Sequence, residues 1–164
     1  MITASSSFKR VSAIRLDVIA NASLPMNGPG RCQNGNLHLS EIEVHVFDPA
    51  NAKSIPIKLK RATADFNQQA WGIERAIDGD PTTAWGIHPA VGQSHYAVFE
   101  FEEAIALPPE ARLTVVLKQL HGGSLLIGAL KLSVTADDPS GIQAKPLEVE
   151  NILQKYSSDR KSVV

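Results

Sequence analysis

Ala76-Ile77-Asp78-Gly79-Asp80-Pro81-Thr82-Thr83-Ala84-Trp85 is the stretch whose reading decides how the rest of the chain is organised. It places two carboxylates, a turn glycine, two hydroxyls and a large aromatic between runs that alternate like strands. Asp78 and Asp80 flank a glycine able to take φ > 0, so the turn can aim carboxylate, hydroxyl and backbone oxygens at one point, as a hard cation such as Ca²⁺ requires. A tight Asp-Gly turn with solvated carboxylates is the alternative reading, and such turns are common. Trp85 then leads back into apolar sequence.

Working outward, Ile14, Leu16 and Val18 alternate with Arg15 and Asp17, which predicts a half-buried strand. Residues 21–36 are rich in Gly, Pro, Asn and Ser and form a loop longer than a simple connection needs. Leu37 and Leu39 then occupy odd positions, whereas Ile42, Val44 and Val46 occupy even ones, so a β-bulge is expected at Ser40 and Glu41. Ile55, Ile57 and Leu59 alternate again, with Pro56 favouring a sheet edge. Residues 61–75 show no period of two and predict at most a short helical turn. Ala97, Phe99 and Phe101, then Leu113, Val115 and Leu117, then Leu130, Leu132 and Val134 complete a set of about six strands. Strands separated by turns, with little helix before residue 140, predict an all-β antiparallel sandwich. Residues 137–146 read as a linker. Val149, Ile152, Leu153 and Tyr156 follow helical spacing and predict an amphipathic C-terminal helix, either packed on its own sandwich or opening a following region.

Composition narrows the function classes. At 164 residues and 43% hydrophobic content the chain supports one domain with a sizeable core. Its formal net charge of −1, with the basic residues scattered, offers no stripe for nucleic acid or an anionic membrane. No apolar run reaches the roughly 20 residues of a membrane span, and residues 1–7 lack the pattern of a signal peptide. Cys32 is the single cysteine, which excludes an internal disulfide and a cysteine-based zinc site. No nucleophile elbow, metalloprotease helix, phosphate loop or dinucleotide fingerprint is present, and His38, His45, His88, His95 and His121 are dispersed. Glu41 and Glu43 share a strand face as a glycosidase pair would, yet the chain as a whole is read as non-catalytic.

The pattern A-I-D-G-D-x-x-T-x-W resembles the signature of the discoidin-like, galactose-binding-like β-sandwiches, which include coagulation-factor C-type domains and many carbohydrate-binding modules. Leu39-Ser40-Glu41-Ile42-Glu43-Val44 is similar to that family's L-S-E-I-E-V strand, here placed before the loop rather than at the end of the domain. Gly28-Pro29-Gly30-Arg31, Asn34-Gly35-Asn36, the Asp-Gly loop, His95-Tyr96-Ala97-Val98-Phe99 and residues 128–135 together resemble one module of planctomycete-type multidomain proteins that also carry cytochrome-like regions.

The resemblance implies a jelly-roll sandwich over residues 8–137, with residues 138–164 a linker and helix that open a following domain. It implies a structural calcium held by side chains of Asp78, Thr83 and Glu41, with backbone oxygens of Arg75, Asp80 and Thr83 filling the shell, and a core position for Trp85. It also implies a carbohydrate-binding module that targets a larger, extracytoplasmic protein to a polysaccharide or oligosaccharide; a structural or protein-interaction module joining neighbouring domains is the other reading. Sugar recognition needs an aromatic platform and planar polar groups, so the candidate ligand residues are Arg31, Asn34, Asn36, Trp71, His88 and His95. Trp71, after polar Asn67, Gln68 and Gln69, is the expected exposed aromatic, while Arg31 either binds or braces its glycine-rich loop.

Overall fold

The computed structural model describes residues 1–5, 8–138 and 141–149. Its strands are β1 (Ile2–Ser5), β2 (Arg10–Val18), β3 (His38–Leu39), β4 (Glu41–Asp48), β5 (Lys53–Ile57), β6 (Leu59–Ala64), β7 (Trp85–Gly86), β8 (His95–Ala106), β9 (Arg112–Lys118) and β10 (Leu130–Thr135). They form one sheet in the order β1-β9-β4-β5, a second in the order β10-β2-β8-β6, and a small β3-β7 pair, with every pairing antiparallel. This is the all-β sandwich that the alternation predicts. Ile14, Leu16, Phe99 and Phe101 from one sheet and Ile42, Val44, Leu113 and Val115 from the other share one core, so each sheet buries its apolar face against the other. Trp85 lies fully inside that core.

The edges follow from local chemistry. Pro56 cannot donate to a ladder, and it sits in β5, which pairs only with β4. After Ile57 the chain crosses to the second sheet as β6, so Ile55 and Leu59, which share one parity, belong to different sheets. Arg61 to Ala64, which show no alternation, are strand because they pair with Glu100 to Ala97 of β8.

The phase change at Ser40 is a hand-over between ladders and not a bulge within one. Leu39 pairs with Trp85 of β7, Glu41 pairs with Lys118 of β9, and between them Ser40 N donates to Lys118 O at 2.8 Å while its Oγ accepts Leu120 N at 3.1 Å. Beyond the switch the half-buried Glu41 sits at the end of the sandwich where β4 begins.

That end carries the long connections 19–37, 65–94 and 119–129, because β2, β6 and β9 all finish there. Backbone bonds join the three: Gly92 N to Gly28 O at 2.7 Å, Arg31 N to Leu126 O at 2.8 Å and His38 N to Leu125 O at 3.0 Å. Gly30 is needed for this packing, since a Cβ there would lie 1.8 Å from Asn36 O.

Residues 141–147 run along the outer face of the second sheet as an attached strap, not as an unattached linker. Ile142 and the buried Ala144 pack on Ala13, Tyr96 and Val98. The backbone amides of Ala144, Lys145 and Leu147 donate to Thr63 Oγ1, Tyr96 Oη and Asp65 O at 2.8, 2.9 and 2.9 Å. Leu147 to Val149 form one helical turn, and Ile152, Leu153 and Tyr156 of the expected helix lie outside the described residues. Among the described residues no helix is long and apolar enough to cross a membrane.

Candidate functional site: an oxygen-rich loop beside a ring cluster

A 3₁₀ turn at Ile73–Ala76 delivers the chain into the Asp-Gly loop. Asp78 Oδ1 accepts Asp80 N at 2.8 Å and Gly79 adopts φ = 80°, which closes an Asx turn. Asp80 turns its carboxylate onto Thr82, accepting its amide at 2.9 Å and its hydroxyl at 2.7 Å; the hydroxyl first, then the amide, hold Asp80 below the usual carboxylate range. Its main-chain oxygen accepts Thr83 N at 3.1 Å.

Thr83 Oγ1 sits at the centre, 2.8 Å from Asp78 Oδ2, 3.2 Å from Asp80 O and 3.3 Å from Arg75 O. A hydroxyl has one hydrogen; Asp80 O already accepts Thr83 N, so Asp78 Oδ2 and Arg75 O compete for that hydrogen. Glu41 closes the group from β4. Its carboxyl is raised above the ordinary value, chiefly by burial and further by the Asp78 carboxylate beside it, against a lowering contribution from the Gly79 amide. Its Oε1 is buried and has no hydrogen-bond partner. The structure thus brings together Glu41, Arg75, Asp78, Asp80 and Thr83. Among the described residues no cluster of three or more His, Cys, Asp or Glu could hold a metal; the donor set here is two carboxylates, a hydroxyl and carbonyls, the hard oxygens that suit calcium. The orphaned Glu41 oxygen and the shortage of hydrogens fit a cation.

Beside this loop lies a cluster that the spacing of the histidines does not reveal. His38 stacks on Trp71 with ring centroids 4.4 Å apart, and His121 meets both edge-on at 4.8 and 5.2 Å. His121 Nε2 is 3.3 Å from Thr83 O. Burial, and secondarily His121, push the His38 pKa down to about 4, and its Nδ1 is buried without a partner. Trp71, the expected exposed aromatic, is half-buried in this cluster.

The other candidate residues divide by exposure. Arg31, Asn34 and His88 are exposed on the loops. Asn36 is 4% exposed; its Oδ1 accepts Ile87 N and His88 N at 3.0 and 3.1 Å, and its Nδ2 donates to Gln68 Oε1 at 3.0 Å. His95 is 1% exposed, with Nδ1 at 3.0 Å from Asp65 Oδ2 and Nε2 at 2.6 Å from Ala90 O. These two side chains are internal ties between loops, away from solvent. Met26, Leu120 and Leu126 are exposed apolar residues on the same loops. A separate cleft of about 500 Å³ lies on the outer face of the second sheet, where the Arg15 guanidinium, 3.7 Å above the Tyr96 ring, covers the aromatic surface that a ligand would use. Comparison with known proteins adds no relative: no family model, curated protein or solved structure matches the chain.

Proposed function

We propose that this chain is a non-catalytic carbohydrate-binding module of galactose-binding-like, jelly-roll type, carried by a larger extracytoplasmic protein and braced by one structural calcium. The observation that carries the reading is the oxygen group around Thr83 with the buried, unpartnered Glu41 Oε1. Glu41, Asp78 and Thr83 would hold the ion with their side chains, and Arg75 and Asp80, with Thr83, through carbonyls. Calcium would supply positive charge beside the Glu41 and Asp78 carboxylates, tying β4 to the loop that follows the 3₁₀ turn. The sugar-facing set is Trp71 with Arg31, Asn34 and His88, all on connections of one end of the sandwich.

Small sugars offer few buried atoms and keep well-hydrated hydroxyls, so the expected affinity is micromolar or weaker. Affinity electrophoresis through a panel of polysaccharides tests this. Retention of the wild type by at least one glycan, lost in Trp71→Ala with the fold intact, is the expected result. A second reading is favoured by the exposed Met26, Leu120 and Leu126 at the same end: a protein-interaction module joining neighbouring domains. Absence of retention across the panel would select it.

A further inference from the structure

We infer that His121 is a positioning residue that couples the oxygen group to Trp71, so that cation binding and the aromatic face act as one linked unit; the inference rests on the calcium reading proposed above. Thr83 belongs to both halves. Its hydroxyl is the centre of the oxygen group, and its carbonyl is 3.3 Å from His121 Nε2. A carbonyl has no hydrogen, so the contact requires the proton on Nε2, and a donated bond is directional.

His121 in turn meets the Trp71 ring edge-on at 5.2 Å and His38 at 4.8 Å, while His38 stacks on the opposite partner Trp71 at 4.4 Å. The histidine is also fixed from behind: Leu120 N donates to Ser40 Oγ at 3.1 Å, next to Glu41 in the chain. The segment bearing His121 is therefore held at one side by the strand that supplies Glu41 and at the other by the carbonyl of Thr83. If Thr83 and Glu41 held the ion, both anchors of His121 would be engaged with it, and the imidazole edge would carry the change to Trp71. Groups that orient a metal's ligands in this way typically alter metal affinity by about 10-fold to 100-fold. By linkage, a ligand seated on Trp71 changes calcium affinity by the same factor that calcium changes the ligand's.

The test uses ¹⁵N-labelled, chelator-treated protein titrated with calcium chloride alone. The indole N–H resonances of Trp71 and Trp85 are distinguished with Trp71→Phe, and binding heats are measured in parallel. The expected result is a saturable shift of the Trp71 resonance in the wild type. In His121→Ala that shift disappears and calcium affinity falls about 10-fold, with binding still detected; His121→Gln, which keeps an N–H donor, recovers part of both. An unchanged Trp71 response in His121→Ala overturns the coupling, as does a wild type that binds calcium with Trp71 unmoved. A wild type that takes up no calcium in the heat measurement fails the calcium reading itself and removes the coupling with it.

Discussion

Two polar clusters at the same end of the sandwich are built from similar residues and differ in whether each buried side-chain polar atom has a partner. Around His95 each does: Asp65 Oδ1 takes Tyr96 N at 3.0 Å, Asp65 Oδ2 faces His95 Nδ1 at 3.0 Å, and His95 Nε2 faces Ala90 O at 2.6 Å. Around Thr83 one does not, because Glu41 Oε1 is buried without a partner. A satisfied buried network holds a fold together, whereas a buried oxygen without a partner calls for an explanation, of which a bound ion is one. Under the calcium proposal the difference separates structural from binding residues in loops that look equally polar in sequence.

The largest expected effect comes from unbalancing the first cluster. Asp65→Ala removes the partner of buried His95 Nδ1 and of Tyr96 N, and each buried group left unsatisfied costs about 1–3 kcal/mol. Denaturant unfolding should report that loss equally with calcium and with chelator, since the cluster is complete without an ion.

His38 is a third case, a buried histidine whose Nδ1 has no partner and whose pKa is pushed down to about 4. Between that value and the ordinary 6.5 the unfolded chain binds a proton that the folded chain refuses. Stability is therefore fully present above pH 6.5 and falls as pH drops toward 4, by up to about 3 kcal/mol. Replacing His38 with Leu should flatten the stability profile over this window; an unchanged acid slope would assign it to other groups.

Removing residues 138–164 takes away Ile142, Ala144 and the amide of Leu147 that donates to Asp65 O. The loss of this strap should cost about 1–2 kcal/mol, the size of partial apolar burial plus a few hydrogen bonds. A neutral truncation would show that the strap adds nothing to the Asp65 side of the comparison.

Glu41→Gln gives the smallest and most discriminating change. An amide in place of the carboxylate removes a like charge beside Asp78 and supplies a donor, so the calcium-free protein should gain about 0.5–1 kcal/mol. The same substitution should abolish stabilisation by added calcium. A variant destabilised to the same degree with and without calcium would place Glu41 among the structural residues.

The strands were legible because burying one face imposes a period of two, as at Ile14, Leu16 and Val18. Arg61 to Ala64 escaped because an edge strand with one partner needs no clean alternation. The Ser40 phase change was visible, but its cause is a partner change from β7 to β9, which a local pattern cannot distinguish from a bulge. The Asp-Gly loop was readable since its donors lie within a few residues. The ring cluster was not, because His38, Trp71 and His121 come from three separate connections brought together by tertiary packing. The strap at residues 141–147 is attached largely through backbone amides, which leave no side-chain signature.

The central claim is that the oxygens around Thr83 await a cation. Differential scanning calorimetry of dialysed protein, with excess chelator and then with calcium chloride at a hundredfold excess over its measured dissociation constant, tests it most directly. Binding to the folded state alone should stabilise the wild type by about 2.7 kcal/mol under those conditions, while Asp78→Ala should show no response. A wild type whose melting temperature is the same with chelator and with calcium, and whose elemental analysis finds no calcium, would contradict the claim and leave residues 78–83 an ordinary Asp-Gly turn.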